Sequence, residues 1–281
     1  MAAISQEFGA AFAVGLFAAL GAVGAVFVRL LVAGVILCLV VRPRLRGLSS
    51  RARVSACALA AALVVMNLCF YISLTRVPLG VAVTVEALGP LALSVVVSRR
   101  RMAWLWAALA LLGVALLSLT GVQVGHLDPV GLGFAAGAGA SWAGYILATA
   151  RAGSDFPKLD GLALATAIGA VVTAPFAVAA VDPASALRWH VLGLGALVGV
   201  MSSVIPYSLE LISLRRLPPE TFAILTCLSP VVAAVAGWLI LGQHLAVTGY
   251  VAIVLVTVAS IGAVRSARER LTQSDTRLIT A

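Results

Sequence analysis

The chain has 281 residues, 62% of them hydrophobic and only 10% charged, with a mean hydropathy of +1.13. Soluble domains run roughly 45–50% apolar and about 25% charged, so that class is excluded, and the unbroken apolar runs exclude a β-barrel, whose strands alternate. The formal charge of +9 is spread between apolar runs rather than gathered in a patch, so no nucleic-acid partner is expected and the chain reads as an all-α membrane protein.

Ten apolar segments are predicted, near 2–20, 23–41, 54–74, 80–98, 103–121, 130–150, 161–180, 190–213, 220–241 and 246–264. Short breaks carrying charge, Pro and Gly separate them. The first run lacks a basic stretch before it and a cleavage site after it, so it reads as a span and not as a leader. It holds Glu7, and the second holds Arg29. Asn67 and Tyr71 lie four apart on the third. Glu86 and Pro90 lie in the fourth, Ser141, Trp142 and Tyr145 in the sixth, Tyr207 and Glu210 in the eighth, and Pro230 in the ninth. The four cysteines sit inside apolar runs without a C-x-x-C pair and read as small buried hydrophobes.

Orientation follows from the basic residues. With ten spans, all of the nineteen Lys and Arg except Arg29, Arg76 and Arg188 fall on the side that holds both termini. The positive-inside rule makes that side the cytoplasm. The basic clusters are expected to touch anionic membrane lipid.

The chain also matches itself. Residues 73–90 (SLTRVPLGVAVTVEALGP) align without a gap on 213–230 (SLRRLPPETFAILTCLSP) at an offset of 140, and share Ser73/Ser213, Leu74/Leu214, Arg76/Arg216, Pro78/Pro218, Leu88/Leu228 and Pro90/Pro230. The predicted organisation is a first repeat over 1–125, a second over 126–265, and a cytoplasmic polar tail over 266–281. Five spans per repeat is an odd number, so the halves enter the membrane from opposite sides. Such inverted repeats place a substrate site near the midplane between them and allow it to open alternately to either side.

Charge inside a membrane costs about 2.5–3.5 kcal/mol per residue on insertion scales, so each case needs a reason. Glu86 is the leading one. Pro90, four residues on, cannot donate to the Glu86 carbonyl, which leaves a carboxyl and a free carbonyl on one turn, suited to a proton or an ammonium group. Pro230 repeats the break and frees the carbonyl of Thr226. The other reading pairs Glu86 with Arg29 inside the bundle. Tyr207 and Glu210 share a helix face, as a cytoplasmic gate or as an interfacial carboxyl paired with Arg215 or Arg216. Asn67, Tyr71, Trp142 and Tyr145 are read as pathway lining or as helix-to-helix packing. His126, His190 and His244 fit no metal-ligand spacing. Neither a nucleophile–base pair nor a nucleotide loop is evident, so no cofactor and no enzymatic activity are expected.

Three segments resemble a known family: MNLCFYISLTRVPLGVAVTVEALGPLALSVVVSRR (66–100), AAGAGASWAGYILATARAG (135–153) and IPYSLELISLRRLPPETFAIL (205–225). They are similar to bacterial threonine/homoserine exporters of the EamA branch of the drug/metabolite transporter superfamily. The resemblance implies ten helices in two repeats, a place in the bacterial inner membrane, and proton-driven export of small amino acids. The alternative is export of another metabolite or a drug-like cation. Two departures bear on the second repeat: Ser229 stands where the family commonly has a glutamate, and Gln243 where it often has another.

Overall fold

The computed structural model describes residues 1–43, 47–98, 101–120, 128–216 and 227–279. These form helices α1 (Ala2–Val14), α2 (Phe17–Val41), α3 (Ser50–Leu74), α4 (Leu79–Glu86), α5 (Leu88–Ser98), α6 (Arg101–Thr120), α7 (Pro129–Asp155), α8 (Asp160–Ala180), α9 (Pro183–Ala186), α10 (Trp189–Gly199) and α11 (Ile205–Arg216). Helices α12 (Ser229–Leu241) and α13 (Val247–Ile279) complete them. No strand occurs among the described residues. Five helical stretches among them are long and apolar enough to cross a membrane: Phe17–Val41, Ser50–Leu74, Pro129–Gly153, Asp160–Ala180 and Trp189–Glu210.

Polar caps set several boundaries. The Ser49 hydroxyl accepts from the Ala52 amide at 3.1 Å to start α3, and the Asp128 carboxylate accepts from the Val130 amide at 2.8 Å to start α7. Other boundaries differ from the sequence expectation. The first helix ends at Val14, not near residue 20, and α2 begins at Phe17. Within α2, Gly21 adopts φ 62° and ψ 179°, a conformation open essentially to glycine alone, so one apolar run is bent without any polar signal. The fourth segment is two helices that meet at Ala87. The eighth contains a π-helical turn, Val200–Val204, between α10 and α11. The last helix continues to Ile279, through the residues read as a polar tail.

Helix α2 packs along α8, α3 along α7, and α6 along α13, while α4 lies against α12. Small residues permit these approaches. A side chain at Gly34 would press on the Ala167 backbone, and one at Gly80 on Ala234. Large apolar side chains face outward: Val40 is 75% exposed, Val171 73% and Phe176 63%. In water this would be a liability, whereas lipid accepts it. Cys57 is also exposed and Cys38, Cys69 and Cys227 are half-buried, contrary to the reading of all four cysteines as buried.

Candidate functional site

Among the described residues, one basic residue lies deep in this apolar bundle. Arg29, midway along α2, is 3% exposed. Its Nε donates to Ser203 Oγ at 2.7 Å, and its Nη2 donates to the Ser202 carbonyl at 2.5 Å and to the Tyr207 hydroxyl at 3.1 Å. Its Nη1 donates to the Tyr71 hydroxyl at 3.3 Å. The guanidinium carbon lies 5.5 Å from the Tyr71 ring centre and 5.8 Å from that of Tyr207, within cation–π range.

The π turn and Pro206 explain two of these features. A wider turn releases backbone carbonyls from the regular ladder, and Pro206 has no N–H to give the carbonyl of Ser202 four residues back or of Met201 five back. Two of them are taken by side chains from the first helices: the Met201 carbonyl accepts from Ser5 of α1 at 2.7 Å, and the Ser202 carbonyl from Arg29. Gly9 allows α1 to come this close, since a side chain there would meet Ser202.

Three carboxyls surround the guanidinium. Glu7 (α1), Glu86 (α4) and Glu210 (α11) each lie within electrostatic range of it. Glu7 is 3% exposed and Glu86 8%. Among the described residues, no carboxylate stands at ion-pair distance from Arg29. Asn67 is buried, donates to the Leu63 carbonyl at 2.7 Å and approaches the Tyr207 hydroxyl. The Tyr145 ring is tilted against Tyr207 with centres 5.9 Å apart.

The structure thus gathers Glu86, Asn67, Tyr71, Tyr145, Tyr207 and Glu210 around one centre. Trp142 is half-buried and packs in the apolar cluster that holds Tyr145 and Tyr207. Pro90 lies in the first turn of α5, just after the break, and the Glu86 carbonyl faces Gly139 of α7 so closely that a side chain there would lie 2.6 Å from it. Gly89 meets the Gly139 carbonyl in the same way. Pro230 is buried in the first turn of α12; Thr226 lies outside the described residues. Sequence reasoning weighed Arg29 only as a partner for Glu86 and missed Ser202 and Ser203. The one available signal was a lone arginine inside an apolar run.

Two contacts join stretches far apart in sequence near the end of the bundle that carries Arg76. Arg76 Nη1 donates to Asp128 at 2.7 Å, and the Gln243 side-chain carbonyl accepts from the Leu79 amide at 3.0 Å, capping α4. The Arg76 hydrogen bond, with the Val130 amide, holds the Asp128 carboxyl below the usual carboxylate range. At the other end, Asp155 of α7 takes Arg51 at 3.1 Å and the Ser55 hydroxyl at 2.5 Å, both from α3.

The EamA-like transporter family pattern matches residues 129–265. The threonine/homoserine exporter RhtA of Salmonella typhimurium (strain LT2) is 37% identical over 265 residues, spanning 94% of this chain and 89% of that protein. The exporter of the same name from Escherichia coli (strain K12) is 37% identical over 270 residues, spanning 96% and 90%. With a multi-pass helical bundle and a likeness that runs nearly end to end, this chain belongs to the EamA-like transporter family.

Proposed function

We propose that the chain is a bacterial inner-membrane exporter of small amino acids of the threonine and homoserine kind. It is coupled to protons and works by alternating access between two inverted five-helix repeats, with both termini in the cytoplasm. The observation that carries this reading is the cluster around Arg29, where side chains from both repeats converge in an otherwise apolar bundle. The substrate class rests on the likeness to the curated exporters.

The inverted repeat is supported by elements that correspond at the offset of 140. Helix α2 answers α8, α3 answers α10 with α11, α5 answers α12, and α6 answers α13. The pairs α2–α8 and α6–α13 consist of corresponding members packed on each other, as a two-fold axis between the repeats requires.

Coupling follows from the imbalance of charge. Three carboxyls share one guanidinium, and an ionised carboxyl without a cation is costly inside the membrane, so one of the three is the proton carrier. Glu86, beside the helix break, takes that role, with Pro90 and Pro230 as hinges. Asn67, Tyr71, Trp142, Tyr145, Tyr207 and Glu210 line the path.

The test is uptake of labelled threonine and homoserine into everted vesicles, with and without an imposed proton gradient. Gradient-dependent uptake that Glu86→Gln abolishes in folded protein is the expected result. Wild-type proton-driven flux in that variant would remove Glu86 from coupling. Absence of flux for both amino acids would move the substrate to another metabolite or a drug-like cation.

A further inference from the structure

Arginine offers a carboxylate two bidentate edges, Nε with Nη2 and Nη1 with Nη2. In Arg29 the first is closed by built-in partners at short range, Ser203 Oγ at 2.7 Å and the Ser202 carbonyl at 2.5 Å. The second is covered by two neutral hydroxyls, Tyr71 at 3.3 Å and Tyr207 at 3.1 Å. Each repeat supplies one of these two oxygens, Tyr71 to Nη1 and Tyr207 to Nη2. Both bonds are long against the roughly 2.7–2.9 Å of a charge-assisted pair. The edge is therefore satisfied weakly, by groups on separate helices. A carboxylate there would add the opposite charge that no group among the described residues supplies at ion-pair distance.

We propose that the Nη1–Nη2 edge of Arg29 receives the substrate's carboxylate, which displaces the Tyr71 and Tyr207 hydroxyls, while the substrate's ammonium faces the carboxyls of Glu7, Glu86 and Glu210. The site then selects zwitterionic α-amino acids over amines, esters and lactones. This rests on the amino-acid exporter reading above and adds to it the group that discriminates. Displacement also links binding to motion. The two tyrosines belong to different repeats, and both lose their hold on Arg29 when substrate arrives.

The experiment uses the full-length chain in proteoliposomes and measures how unlabelled threonine, threonine methyl ester and threoninamide compete with labelled threonine for transport. The free acid is expected to compete at least roughly tenfold better than either blocked form, the loss of a charge-assisted pair. Arg29→Lys, which keeps the charge and loses the fork, should bring that ratio close to one. Tyr71→Phe, which frees Nη1, should tighten threonine binding. Export of threonine with equal competition by the ester overturns the assignment and leaves the exporter reading standing. Failure of any amino acid to be transported overturns both. If Arg29→Lys does not fold, the analogue series on the unmodified chain still decides. Weaker binding in Tyr71→Phe would make that hydroxyl a fixed support and overturn the displacement.

Discussion

Arg29 is held by four hydrogen bonds to groups on two other stretches of chain, at Tyr71 and over Ser202 to Tyr207. Hydrogen bonds between membrane helices average about 0.6 kcal/mol each. Arg29→Met is therefore expected to cost at least about 2 kcal/mol, read as a lower thermal unfolding midpoint in detergent. It also strips the three nearby carboxyls of their cation. Adding Glu86→Gln to Arg29→Met should recover part of the loss, and a double-mutant cycle would measure the coupling. Strictly additive effects would show that the two residues do not sense each other. Glu86 was legible in the sequence because a carboxylate followed by proline stands out in an apolar run. Arg29 was legible as an anomaly but not as a centre. Its partners are neutral and lie 42 and 173 to 178 residues away, and no local spacing joins them.

Single contacts fix how the elements meet. The α4–α5 break is pinned on α7 at Gly139, where an added methyl would press on the Glu86 carbonyl. Gly139→Ala should destabilise by about 1–3 kcal/mol through overpacking and shift Glu86, lowering transport. Gly144→Ala, where nothing lies within 4 Å of the new methyl, is the control and should be silent in both melting and uptake. Spacing alone reads Gly144 as a packing residue and does not single out Gly139; only the fold separates the one in contact from the one in open space. At the start of α7, Asp128 takes Arg76 and caps the helix. Its carboxyl is held below its ordinary value in the folded state, so its stabilisation is present above the unfolded value of about 3.9. It is lost as pH falls further, through the folded value. A melting series against pH should show this acid limb below about pH 4 in the unmodified chain, and Asp128→Asn should remove it.

At the scale of the molecule, the distribution of arginine predicts which end faces which compartment. In a cysteine-free background, Ser50→Cys at the start of α3 should react with an impermeant thiol reagent only from the cytoplasm, and Ala184→Cys in α9 only from outside. Both positions are exposed. Labelling of both from one side would break the ten-span topology. The all-helical class was legible throughout, since composition leaves no alternative in lipid. Less visible were the bends. The turn at Gly15 and Leu16 and the positive-φ Gly21 fall inside apolar runs where no polar residue or proline marks the change, while the π turn is marked only by Ser202, Ser203 and the following Pro206, whose effect on the backbone hydropathy does not report. Hydropathy reports burial in lipid and is blind to backbone geometry at constant hydropathy.

The π turn at Val200–Val204 makes the site depend on chain length as well as on residue identity. It is one widened turn upstream of Tyr207 and Glu210, and it supplies the carbonyl that Arg29 holds. Deleting Met201 removes one residue from the widened turn and leaves the hydropathy of the segment nearly unchanged. Each residue of an α-helix advances the chain by about 100°, so Tyr207 and Glu210 would then swing off the cluster together. The single-residue deletion leaves every named side chain of the cluster in the protein, yet it is expected to be as harmful to transport as removing Arg29 itself. Drift in the spacing of this segment is therefore a route by which related sequences could lose or exchange their cargo while keeping the same side-chain alphabet.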